Sequence, residues 1–127
     1  MSLGAYLIKL EIGNVGMPGA PILHVVAVVN ASTGVISGSA EITQALPPPN
    51  GEIAIPHITG QVRHTGLGGD QLLVTLEGEF VVSFPPPAIG SYLARFSAGL
   101  VVDKAWNGHG SYTYNHHTVD NVPVKSL

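Results

Sequence analysis

Charge is scarce in this 127-residue chain: five Lys and Arg with eight Asp and Glu make up 10% of the residues, against about 25% in an average soluble domain. The net charge is −3, and Lys9, Arg63, Arg95, Lys104 and Lys125 are scattered along the chain. Nucleic-acid binding needs clustered cations to displace counterions, so no nucleic-acid partner is expected. Cysteine is absent, which excludes disulfides, thiol catalysis and thiolate metal sites. The longest apolar run, Val25 to Val29 with its flanks, falls far short of the about 18–20 residues of a membrane-spanning helix, so no membrane span is expected. The opening Met1-Ser2-Leu3-Gly4-Ala5-Tyr6 has neither the basic nor the apolar region of a secretory leader. With no leader and no disulfides the expected compartment is the cytoplasm, and a non-classical export route stays open.

What the chain does have is 45% hydrophobic residues arranged with a period of two, which puts every second side chain on one face of a strand. One domain of this size buries about two-thirds of the surface its unfolded chain exposes. In the first segment Tyr6, Ile8, Leu10 and Ile12 share a face, with Lys9 and Glu11 on the other. After a Gly/Pro-rich loop, Ile22 to Asn30 is apolar on both faces except at His24 and Asn30. That pattern predicts a central strand covered on both sides, with His24 as a hydrogen-bonded core residue. Ser32-Thr33-Gly34 then turns the chain into Val35 to Leu46, forming a hairpin. Glu52 to His64 follows Pro47-Pro48-Pro49-Asn50-Gly51, and Pro56 marks an edge or a bulge within it.

The loop Thr65 to Asp70 leads into a segment where Leu72, Val74, Leu76, Phe80, Val82 and Phe84 share parity against Glu77, Glu79 and Ser83. Beyond a second triple proline, Pro85-Pro86-Pro87, the residues Tyr92, Phe96, Leu100, Val102 and Trp106 share parity within Ser91 to Trp106. Asn107-Gly108 reads as a turn into Ser111 to Tyr114, with Asp103-Lys104 as the competing position. No segment holds a helical period. The expected fold is an all-β, single-domain antiparallel meander of seven or eight strands, a bent β-barrel or a β-sandwich, spanning residues 4–115. Residues 116–127 read as a C-terminal tail with room for one short added strand around Val122 to Val124. A flat 13-residue strand would span about 43 Å, too far for so small a domain, so Gly38, Gly60, Gly78, Gly99 and Gly110 are expected at bends or bulges. A shift of 38 residues aligns Glu41 to Pro49 with Glu79 to Pro87, which marks either two equivalent half-domains or a coincidence of strands that stop at prolines.

Six histidines are many for this length, and imidazole is the side chain best suited to metals and protons near neutral pH. His109, His116 and His117 form a weak metal candidate. Adjacent residues in a strand face opposite ways, so only one of His116 and His117 can join His109. Neither H-E-x-x-H nor a Cys/His zinc pattern is present. His57 and Arg63 share parity with Thr59 and Gln61, a polar stripe that either lines a ligand or simply faces solvent. Trp106, Tyr112 and Tyr114, on one parity near a hairpin, either line a binding mouth or pack the core. Glu77 and Glu79 are spaced about 7 Å apart like a glycosidase pair, yet their polar parity puts both in solvent, where neither pKa would rise as an acid catalyst requires. The loop Gly66 to Asp70 lacks the Lys and Ser/Thr of a P-loop, and no G-x-S-x-G elbow occurs. Enzymatic activity is therefore not expected, no catalytic residues are assigned, and no cofactor is expected.

Several segments together carry a family resemblance: Gly16-Met17-Pro18-Gly19-Ala20-Pro21, Leu23-His24-Val25-Val26, Ser37-Gly38-Ser39-Ala40-Glu41-Ile42-Thr43-Gln44-Ala45, Leu100-Val101-Val102-Asp103-Lys104-Ala105-Trp106 and Ser111-Tyr112-Thr113-Tyr114. Across about residues 4 to 115 the chain resembles a family of small bacterial proteins, found in Burkholderia-like proteobacteria, that is classified only as a domain of unknown function. The resemblance implies no catalytic residues.

The reading these observations favour is a non-enzymatic β-module for protein association, including self-association, because low charge and doubly apolar segments leave surfaces that need covering. The alternative is a calycin-like or avidin-like barrel that binds a small molecule. A third is a metal-dependent hydrolase built on His109 and the tail histidines.

Overall fold

Apolar side chains at every second position form strands whose inner faces are buried together, each large side chain contributing about 1.5–3 kcal/mol when removed from water. The computed structural model describes residues 4–45, 51–64, 71–84 and 86–127. Eight strands follow one another: β1 (Ala5–Ile12), β2 (Ile22–Asn30), β3 (Val35–Thr43), β4 (Glu52–His64), β5 (Leu72–Ser83), β6 (Ser91–Val102), β7 (Gly108–Tyr114) and β8 (His117–Ser126). Each pairs antiparallel with its neighbour, and β8 returns to β1, so the sheet is a closed up-and-down barrel and not a sandwich. Followed strand to strand, the register comes back to β1 displaced by about ten residues, the stagger that tilts strands in a barrel of this size.

The axis is occupied by side chains. Leu10, Val25, Ile36, Ile42, Ile55, Ile58, Val74, Leu76, Phe96, Leu100 and Tyr112 are fully buried. The parity of β1, β5 and β6 read from the sequence holds in the burial pattern except at the strand ends, where Tyr6 and Tyr92 are each 40% exposed. No helix among the described residues is long and apolar enough to cross a membrane. The barrel is apolar inside and carries Lys9, Glu11, Glu41, Arg63, Glu77, Glu79 and Arg95 outside, the reverse of the order found in membrane barrels.

Two bulges bend the long strands. The β3–β4 register shifts between Gly38 and Ala40, opposite Ile58 and Ile55, so the bulge falls at Pro56-His57 as the proline suggests. The β7–β8 register shifts between Gly110 and Tyr112, where the backbone N–H of left-handed Asn121 donates to Ser111 Oγ. At Gly38 a side chain would collide with the Val26 carbonyl and Ala27, so only glycine lets β2 and β3 approach there.

Several local expectations change. β3 ends at Thr43 instead of running to Leu46, and residues 46–50, with the first triple proline, lie outside the described residues. β2 is covered on one side only: Val26 and Val28 are 45% and 44% exposed on the outer wall. His24 also lies on that wall, half-buried, sharing a hydrogen bond with Thr43 Oγ1 at 3.2 Å, because its parity is opposite to Leu23 and Val25. The β6–β7 turn is centred on Asp103 to Asn107, and Gly108 is already in the strand, paired with Val102. The segment read as a tail is the ten-residue β8, which closes the barrel. The described parts of the two aligned segments, residues 41–45 and 79–84, lie at the ends of β3 and β5, two strands apart, so they belong to successive hairpins and not to halves of the barrel.

One stretch leaves the wall. β4 and β5 pair only from Ile58–Gly78 to His64–Leu72, and β6 and β7 only from Phe96–Tyr114 to Val102–Gly108. β5 and β6, however, stay paired out to Ser83–Ser91. Glu79 to Ser83 and Ser91 to Arg95 are thus paired as strands only with each other among the described residues, a two-stranded arm whose inner residues Phe80 and Ala94 are still buried against the core and whose Arg95 carbonyl accepts the Asn115 N–H at 3.0 Å. The departure point is tight: a side chain on Gly78 would lie 2.8 Å from the His57 carbonyl oxygen and 3.0 Å from Ile55.

Candidate functional site

The barrel has two differently built ends. At one, the Asp103–Asn107 turn folds Trp106 over the axis. The Asp103 carboxylate accepts the N–H groups of Ala105 and Asn107 at 2.9 and 3.0 Å, and its carbonyl accepts the Trp106 N–H at 3.0 Å. These bonds hold Trp106 at φ 66°, a left-handed conformation rarely adopted by a bulky residue. Its ring is buried and meets Tyr6 edge-on, with centroids 6.3 Å apart. Beside it lies a cleft of about 860 Å³ lined by Tyr6, His64, Leu72, Lys104, Ser126 and Leu127 among others. The barrel seam opens here: Leu10 to Ile12 of β1 pair with β8 and the Lys9 carbonyl accepts the Leu127 N–H at 2.9 Å, while Ala5 to Ile8 pair with β2 alone.

At the opposite end Tyr112 and Tyr114 stack with centroids 6.0 Å apart, and His117 lies 5.3 Å from the Tyr114 ring. The Tyr112 hydroxyl donates to the Pro21 carbonyl at 3.1 Å, tying β7 to the loop before β2. Burial, and secondarily the neighbouring Tyr114, push the Tyr112 pKa up, and burial raises that of Tyr114. Where β4 and β5 part, a cleft of about 810 Å³ opens between Ile53, Ala54 and Pro56 on one side and Phe80 and Val82 on the other, with Tyr114 on its lining. Phe80 and Ala94 are buried on the arm's inner side, while Val81 and Leu93, paired across the arm, are 64% and 65% exposed on the outer side. At the tip Ile89 is 97% exposed, and Phe84 packs on Tyr92 with centroids 5.6 Å apart.

Residues 3–119 match the family described as Domain of unknown function (DUF1842). The chain belongs to this family. The match runs from β1 through β7 into the start of β8, covering the barrel except for most of its closing strand. No curated protein matches the chain.

Within the DUF1842 barrel the residues singled out in the sequence do not form one site. Trp106 caps one end, whereas Tyr112 and Tyr114 lie toward the other; their common parity puts all three inside the wall but says nothing of depth along the axis. His57 and Arg63 are exposed on the outer face of β4, about 20 Å apart along the strand. His109 sits at the start of β7 opposite Pro123, and His117 pairs with Tyr114 at the far end of that strand, about 16 Å away. His116 lies in the exposed turn between them in sequence. No group of three or more His, Asp or Glu among the described residues is placed to hold a metal ion. Glu77 and Glu79 are both exposed on the outer wall. The loop Gly66 to Asp70 lies outside the described residues.

The arm is the element that residue-by-residue reasoning passes over. Its signal was available, since Phe80 to Ala94 contains no charged residue and is bracketed by Glu79 and Arg95. Where neighbouring strands stop pairing is not written in either strand.

Proposed function

We propose that this barrel is a non-enzymatic association module that binds other copies of itself through the β5–β6 arm. The observation that carries the reading is the charge-free stretch Phe80 to Ala94, which continues the β5–β6 pairing beyond the last β4–β5 and β6–β7 pairs and exposes Val81, Ile89 and Leu93. An apolar surface of this kind on a projecting hairpin is stabilised by a protein partner and is out of place on a solitary particle. Other apolar groups are exposed on the wall, Leu7, Val26 and Val28 beside Lys9 and Glu11, and the Leu73–Val101 pair; the arm differs from them in ending on Ile89, 97% exposed, within a stretch that carries no charge from Phe80 to Ala94. The bacterial source that the sequence resemblance implies belongs to the same reading. Static light scattering tests it: the mass should rise from 13.2 kDa toward twice that value with concentration, and Ile89→Asp should return it to the single-chain mass. A mass of 13.2 kDa at every attainable concentration would refute the reading.

A second reading, small-ligand binding, draws on the cleft beside Trp106, whose volume of about 860 Å³ lies within the about 300–1,000 Å³ typical of ligand pockets. Such a ligand would sit at the barrel mouth, because the axis is filled by side chains. Trp106 is the chain's one tryptophan, so a bound compound should change its emission; an unchanged spectrum across aromatic and aliphatic candidates sinks this idea.

A further inference from the structure

Trp106 is only 6% exposed, yet its indole N–H, a donor with no acceptor capacity, has no partner among the described residues. The N–H is not sealed inside the barrel, because no fully buried side-chain nitrogen or oxygen among the described residues lacks a hydrogen-bond partner. It therefore opens onto the space that the ring borders, the cleft of about 860 Å³. The turn that holds Trp106 at φ 66° uses three N–H groups accepted by Asp103, and backbone held in so sparsely populated a region clusters at active sites and ligand clamps. The charged side chains around this cleft are all basic. Lys9 and Lys104 lie on its lining with the imidazole of His64, and no Asp or Glu is among the described lining residues, although the chain has eight acids against five Lys and Arg. Asp103 is adjacent in sequence, but its Oδ1 accepts the Ala105 and Asn107 N–H groups and so faces its own turn. Lys104 already has a partner, whereas Lys9 is in no ion pair among the described residues. The cleft at the opposite end has the reverse character, with Glu52 and no Lys or Arg on its described lining.

We infer that the cleft beside Trp106 binds a small carboxylic acid with an apolar body, the carboxylate accepting the indole N–H and pairing with the Lys9 ammonium. This rests on the small-ligand reading above and names the ligand class. An indole N–H and an ammonium are both pure donors, and a carboxylate is a pure acceptor with two oxygens to offer them. Hydrogen bonds to an ionised acceptor are roughly twice as strong as neutral ones. An amine in the same place would set donor against donor and cation against cation. The buried residues on the same lining, Ile8, Val29 and Leu72, give the cleft an apolar floor for the body of the ligand. A pocket that is apolar over most of its floor, with a few convergent polar groups, orients a ligand by those groups and holds it by the floor.

With one tryptophan in the chain, the indole N–H gives a single cross-peak in a nitrogen–proton correlation spectrum. Phenylpropionate, phenylpropionamide and phenylpropylamine carry one apolar body with a negative, a neutral and a positive end; hexanoate, hexanamide and hexylamine repeat the series without a ring. Titrated at neutral pH, the acids should move the indole peak downfield and bind at least about tenfold more tightly than the amines. Lys9→Gln, at an exposed position on the outer wall, should keep the fold, weaken the acids at least about threefold and leave the amides unchanged. Equal affinity for acid, amide and amine overturns the carboxylate site while leaving small-ligand binding standing. Undiminished binding of the acids by Lys9→Gln overturns it as well. An acid that binds while the indole peak stays in place does the same, since the ligand then lies elsewhere. An indole peak unmoved by all six compounds overturns both.

Discussion

Tyr112 lies at the centre of a prediction whose sign reverses with pH. Its ring is fully buried, and its hydroxyl donates to the Pro21 carbonyl across 91 positions of sequence. Tyr112→Phe keeps the ring and removes that bond, for which the net contribution is about 0.5–1.5 kcal/mol. Pro21 is only half-buried, so its carbonyl can turn to water, and the loss at pH 7 should be about 1 kcal/mol. At alkaline pH a second effect enters. In the unfolded chain the phenol ionises near pH ~10, whereas burial and Tyr114 push the folded value above it. The folded protein keeps its proton where the unfolded chain has released it. This stabilisation is complete below about pH 10 and declines by about 1.4 kcal/mol per pH unit as pH rises toward the folded value. Phenylalanine has no proton to lose, and the raised Tyr114 is common to both proteins. The stability curves should therefore cross near about pH 10.7, where the ionisation penalty equals the lost hydrogen bond. Urea unfolding followed by Trp106 emission at several values from neutral to alkaline pH measures this. A constant difference between the two proteins over the whole range would refute both the burial and the linkage argument.

Asp103→Ala removes two of the bonds that hold the Trp106 turn; it should cost about 1–2 kcal/mol and shift Trp106 emission to the red, and an unmoved spectrum would mean that ring packing alone holds the indole. Gly38→Ala should destabilise by about 1–3 kcal/mol or more through collision with β2, whereas Gly99→Ala, with nothing within 4 Å of the new methyl, should change stability by less than about 0.5 kcal/mol; thermal melts of the pair test whether β2–β3 approach requires glycine. A chain ending at Asn115 lacks β8, the partner of both β7 and β1. It should lose its cooperative urea transition, and a truncated protein that still melts in one step would show that the open sheet is stable.

Much of the wall was legible because alternation is a local property. Ile8, Leu10 and Ile12, or Leu72, Val74 and Leu76, share a face whatever the strand pairs with, and all six are buried. Pro56 announced its bulge by its missing N–H. His24 and the outer positions of β2 were harder, because Val26 and Val28 are apolar and exposed, and a run apolar on both faces does not say which face is inside. β8 escaped as a full strand since Asp120, Asn121 and Pro123 interrupt its pattern. The bulge at Ser111 and Asn121 absorbs that interruption, a feature that exists only when β7 lies alongside.

By itself, the sequence determined most of the strands, the inward faces of those with clear alternation and the absence of charge on the arm, because side-chain alternation and composition are properties of each segment alone. The tertiary structure decided that the sheet closes, that Trp106 and Tyr112 lie at different depths along one axis, and that β4 parts from β5 after Gly78. Each of these depends on register between strands distant in sequence. Register is set by the sum of many side-chain contacts around the barrel, and no single segment contains it.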